Sequence, residues 1–145
     1  MTERIILSLV AIIMVALTLK KGDKRIILLT AGLTFGILIT WTAFPMLKTA
    51  GLIIYMLTGL IISFSHLKSN ELTILNRTTI VIAGLFTFGA NLFSIMHWPY
   101  AGVVRISMVI PIALFIISLF NGMIKRKEIG HLTIMNLEFI IRLIR

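Results

Sequence analysis

Cysteine is absent from the 145 residues. That excludes a disulfide framework and any thiolate metal site. Acidic residues are scarce as well: Glu3, Asp23, Glu71, Glu128 and Glu138 are all there are. Each is expected in a loop or a tail, so no carboxylate is expected inside an apolar run. Proton- and cation-coupled membrane machines commonly carry one there. No Cys/His/Asp/Glu group has metal-ligand spacing. No nucleophile–base arrangement is legible, and no phosphate-binding loop occurs. The sequence predicts no enzyme, no metal and no cofactor.

What is present is apolar. Hydrophobic residues make up 59% of the chain and mean hydropathy is +1.07, against about 45–50% apolar in soluble domains. Lipid is therefore the expected solvent for much of the surface, and a bacterial inner membrane the expected location. The net charge of +9 fits basic cytoplasmic loops. No basic face interleaved with aromatics offers itself to nucleic acid.

Charges punctuate the apolar runs. A span needs about 20 mostly apolar residues, and five segments approach that: 5–20, 26–46, 49–66, 79–98 and 103–121. They make one all-α transmembrane domain, 1–145. Lys20 and Lys21 fall where a signal-peptide cleavage site would be needed, so the first segment is expected to be kept. Five spans put Arg4, Lys48 and Arg105 on one side and the other eleven Lys and Arg on the opposite side. The bias predicts an outer N-terminus and a cytoplasmic C-terminus. The last segment, 131–145, is short and charged. Glu138, Arg142 and Arg145 fall at i, i+4, i+7 on one face, which predicts an amphipathic helix lying on the membrane surface or docking on a partner subunit.

"AGLTFGILITWTAFPMLKTAG" from Ala31 and "AGLFTFGANLFSIMHWPYAG" from Ala83 look like two copies of one unit. Each is a helix, a proline corner and a second helix, in the same orientation. Trp98, Pro99 and Tyr100 would form the second corner. Aromatic rings suit the headgroup level, and proline breaks a helix. Pro111 is expected to kink the fifth span.

Small and polar residues share helix faces. Ala83, Thr87, Ala90, Ser94 and His97 step by four and three along the fourth span. Gly32, Gly36, Thr40 and Ala43 do so along the second, and Gly59, Ser63 and His66 along the third. Such faces let membrane helices approach closely. His97 would then point inward near the outer end, where a titratable ring is a candidate functional group. His66 and His97 fall at opposite ends of their spans, which excludes a haem held between them.

"LFSIMHWPYAG" resembles the first-hairpin signature of the GldL family, inner-membrane stator-like proteins of the gliding and type 9 secretion motor of the Bacteroidetes. The matching residues are Phe93, Met96, His97, Trp98 and Pro99, within about 40 residues of hairpin. The resemblance implies a hairpin with its turn outside. The family's lysine three residues before the histidine is Ser94 here, and its embedded glutamate in the following helix has no counterpart in 106–124. The motor chemistry is thus not implied.

Two functions are expected from the residues. The first is a non-catalytic accessory or scaffold subunit, partnered by lipid and by other membrane subunits or further copies of itself. The small-residue seams would pack it, and Glu138, Arg142 and Arg145 would dock it. The second is a small channel or transporter with a polar path lined by His97, Ser94, Asn91 and Thr87.

Overall fold

The computed structural model describes residues 2–144 except Lys21, Gly22, Lys68, Ser69, His97, Trp98 and Tyr100, and only the backbone of Ala101. The described residues form seven α-helices: α1 (Thr2–Leu19), α2 (Lys24–Ile39), α3 (Pro45–His66), α4 (Ile74–Met96), α5 (Ala101–Ser107), α6 (Val109–Phe120) and α7 (Ile129–Ile144). A 3₁₀ turn, Met123–Lys125, precedes α7. Four stretches are long and apolar enough to cross a membrane: Thr2–Leu19, Pro45–His66, Ile74–Met96 and Gly102–Phe120.

Local chemistry sets the boundaries. Asp23 caps α2, its Oδ1 accepting from the N–H groups of Arg25 (3.1 Å) and Ile26 (3.3 Å). Such a cap satisfies donors that the helix itself leaves unpaired. At the other end the Thr40 hydroxyl donates to the Ile37 carbonyl at 2.6 Å. The helix therefore stops at Ile39, well short of the expected residue 46. Pro45 does not close α2; it opens α3 from the first helical position, where its missing N–H costs nothing. α4 starts at Ile74, five residues before the expected 79, because the Thr73 hydroxyl accepts from the Asn76 N–H. The expected break near Pro111 is present. α5 ends at Ser107 and α6 starts at Val109, since Pro111 cannot donate to the Ser107 carbonyl four residues back. Gly122 then ends α6 with a positive φ of 84°, a geometry that glycine adopts without strain.

α2, α3 and α4 lie side by side, joined at glycines. A Cβ on Gly36 of α2 would stand 2.9 Å from the Tyr55 backbone nitrogen and 3.0 Å from the Gly51 carbonyl oxygen of α3. A Cβ on Gly59 of α3 would stand 2.9 Å from the Thr87 Cβ of α4. Only the hydrogen side chain lets these backbones approach so closely. α1 packs against α2, and α6 against α4.

The expectation for the last helix is overturned. α7 does not lie on a surface; it packs against α1, α2, α4, α5 and α6. Gly130, His131, Leu132, Ile134, Met135, Asn136, Glu138 and Phe139 are all buried, which covers most of its circumference. A helix enclosed to that extent belongs to the interior. It runs antiparallel to α1. Gly130 lies against Thr18 at the end of α1, whereas Glu138, Ile141 and Arg142 border a cavity with Glu3 and Arg4. Both helical termini, Thr2 and Ile144, thus belong to one end of the bundle, and the expected placement on opposite sides fails. We call this the terminal end. The far end carries the α1–α2, α3–α4 and α6–α7 connections.

Candidate functional site

Glu128, His131, Glu138 and Arg142 step by three, seven and four residues. At 100° per residue they fall on one face of α7. Glu128 lies in the turn that opens the helix. Glu128 and Glu138 are 4% and 8% exposed and His131 is wholly buried. The expectation that every acid sits in a loop or tail is therefore wrong: Glu138 is embedded in the bundle.

At the terminal end the charges are paired. Arg142 donates from Nε to Glu138 Oε1 at 2.8 Å, and its Nη2 stands 2.6 Å from the same oxygen as an ion pair. Its Nη2 also donates to Asn91 Oδ1 at 2.5 Å, and Nη1 to Ser94 Oγ at 3.0 Å. Asn91 in turn donates to the Thr87 carbonyl at 2.7 Å. A guanidinium suits this task because its donors are fixed in a planar fork. The other carboxylate oxygen, Glu138 Oε2, and the Tyr55 hydroxyl are both buried without a well-formed hydrogen bond among the described residues, and the two groups lie close enough to interact. Both residues line a cavity of about 60 Å³ with Arg4 and Thr40, large enough to admit water to them. Two wider cavities flank Arg142. One, of about 350 Å³, also touches Arg4 and Lys48. The other, of about 530 Å³, touches Ser94 and Arg105.

At the far end the His66 and His131 rings face each other, with centroids 5.6 Å apart and planes tilted by 43°. His66 Nδ1 stands 2.9 Å from the Ile62 carbonyl oxygen. Both ring nitrogens of His131 and Glu128 Oε2 are buried without partners among the described residues. A cavity of about 410 Å³ opens onto His66, Asp23, Glu71, Lys127 and Glu128. Lys127 bridges it, with Nζ 2.6 Å from Asp23 Oδ2 and 3.7 Å from Glu71 Oε2. The hydrogen bond from Lys127 holds the Asp23 carboxyl below its ordinary range, against the opposing pull of partial desolvation. The same bond raises Lys127.

The expected seams are occupied by this chain's own helices. Gly32 faces Thr58 and Gly36 faces Gly51. Ala83, Thr87 and Ala90 are buried, and Thr40 caps α2. Of the expected polar path, Asn91 and Ser94 meet at Arg142, and Thr87 is buried with its hydroxyl unpartnered among the described residues. Ser94 itself is exposed, as are Ala43 and Pro99. His97, Trp98, Tyr100 and Arg145, also expected at these sites, fall outside the described residues. Sequence reasoning missed Glu128, His131 and Tyr55. The shared face of Glu128, His131, Glu138 and Arg142 was the available signal; reading α7 as a surface helix put that face in water.

No protein-family model matches the chain, and neither a curated protein nor a solved structure does.

Proposed function

We propose that this is an inner-membrane protein of six crossings that conducts protons along the polar face of α7. The carrying observation is that four ionisable side chains share one face of a helix enclosed by the rest of the bundle. α2 and α7 rise about 24 Å each, within reach of a locally thinned bilayer. Six crossings place nine Lys and Arg at the far end and five at the terminal end. By the positive-inside rule the far end is cytoplasmic and both helical termini are outside.

The chemistry follows from the pair. Ionised Glu138 binds Arg142. A proton reaching Glu138 Oε2 neutralises the carboxylate and frees the guanidinium, which Asn91 and Ser94 are placed to hold. Losing the proton restores the pair. Arg4, Lys48 and Arg105 line the outer cavities; the species proposed is the proton because carboxylate and imidazole side chains take one up and release it.

The test is flux into proteoliposomes under a potassium–valinomycin potential, read by a trapped pH dye, with chloride monitored in parallel. The wild type acidifies the lumen and Glu138→Gln, purified as a monodisperse protein, does not. A wild-type rate equal to that of protein-free vesicles, or an unchanged Glu138→Gln rate, overturns the proposal.

The accessory-subunit reading, whether in a gliding or secretion apparatus or elsewhere, drew on the small-residue seams, the short loops and the lack of a legible site. Those seams join this chain's own helices and so name no partner. A stoichiometric foreign subunit in particles extracted from native membranes would support it.

A further inference from the structure

We propose that His66 and His131 hold one proton between them, across a bridging water, and form the cytoplasmic entrance of the route. The inference rests on the proton-conduction reading and adds the site where protons enter.

Geometry carries it. The Ile62 carbonyl is an acceptor only, so its bond to His66 Nδ1 places the proton of the neutral ring there. Nε2 is left with its lone pair. His131 stands one ring away, its two nitrogens buried and unpartnered among the described residues. A centroid separation of 5.6 Å with a 43° tilt makes no direct bond between the rings. The inference places one water between them. A buried imidazole with both nitrogens unpaired is costly to keep for packing alone.

The surroundings supply the proton and balance its charge. The cavity of about 410 Å³ brings water to His66. Facing it are Asp23 and Arg25 from the start of α2, Glu71 from the α3–α4 connection, and Lys127 and Glu128 from the approach to α7. Thr18 of α1 and Thr30 of α2 pack at Gly130 and carry no charge. A hydronium in the cavity gives its proton to His66 Nε2. The imidazolium formed then passes a proton through the bridging water to His131. Glu128 Oε2, buried without a partner, opens the same helix and provides the negative charge. From His131 to Glu138 is seven residues, about 10 Å along the axis.

The experiment is nitrogen-15 histidine NMR of the full chain in zwitterionic nanodiscs, titrated from pH 4 to 8, with His66→Gln for assignment. The two rings are expected to respond to one another. His66→Gln is expected to move the His131 midpoint by about one pH unit or more. His131→Gln is expected to lose the Glu138-dependent flux. A His131 ring that stays neutral throughout, indifferent to His66→Gln, overturns the inference even if flux is present; the conduction reading then stands alone. A coupled titration in a protein without flux overturns the conduction reading and keeps the shared proton. The NMR measurement needs only the wild type and an α3 variant, so poor folding of His131→Gln does not remove the test.

Discussion

Two glycines of α4, five residues apart, should respond in opposite ways to the same substitution. A Cβ on Gly84 would collide with the Gly59 carbonyl oxygen and with Ser63 Oγ. Ser63 can rotate, but the Gly59 oxygen is backbone and can move only with α3. Parting the two helices also strains the bond from Ser63 Oγ to the Val81 carbonyl, now 2.8 Å. Overpacking costs about 1–3 kcal/mol, and loss of that bond about 1 kcal/mol more. Gly89 has nothing within 4 Å of the same added atom. Both changes gain the helix preference of alanine, about 1 kcal/mol, so it cancels in their difference. Gly84→Ala should therefore be less stable than Gly89→Ala by about 2–4 kcal/mol, with Gly89→Ala at or above the wild type. Reversible unfolding in mixed micelles, titrated with sodium dodecyl sulfate, measures both. Agreement of the two variants within about 0.5 kcal/mol would refute the close approach of α3 and α4, since surface-like changes stay within that range.

Arg142→Leu leaves Glu138 buried and unpaired and should cost about 3–5 kcal/mol, while Glu138→Leu with Arg142→Leu should recover most of that stability and conduct nothing. The same micelle titration decides it; a double variant as unstable as the single one would show that the pair is not enclosed. The link between Asp23 and Lys127 sets a pH window. Asp23 is held below its ordinary 3.8, so its stabilisation is complete above pH 3.8 and lost as pH falls further. Lys127 is raised above its ordinary 10.5, so its share is complete below that pH and lost above it. With side chains 29% and 36% exposed, the link is worth about 0.5 kcal/mol. Asp23→Asn keeps the helix cap and should lower stability by that amount at neutral pH, an effect that vanishes when unfolding is repeated in acid.

The apolar runs were legible because lipid-spanning helices must be long and free of charge. The runs that became α1, α3, α4 and the α5–α6 pair could be read that way. Pro111 announced the break between α5 and α6 because a missing N–H has one local consequence. α2 was misjudged at its end, where Thr40 turns its hydroxyl back on the helix and Pro45 belongs to the next one. α7 was misjudged for a deeper reason. Its Glu138 and Arg142 read as solvated when α7 is taken alone. Asn91 and Ser94, which receive the guanidinium, come from a helix some fifty residues earlier. A contact of that range leaves no periodic trace in either segment. The polar residues of the site were all visible; which of them meet was not.

The place of α7 in the chain bears on how the protein is made. A charge such as Glu138 would cost about 2.5–3.5 kcal/mol near the centre of an isolated inserting helix, with Arg142 adding a second charge in its last turn. α7 is therefore a poor segment to hand to lipid by itself. The helices that enclose it all come earlier in the sequence, and Asn91 on α4 offers a ready acceptor for the arginine. On the six-crossing proposal, insertion of α7 waits on assembly of the others. A fault in the α2–α3–α4 layer would be read out first as failure of the later helix to enter the membrane, and so as a target for membrane quality control.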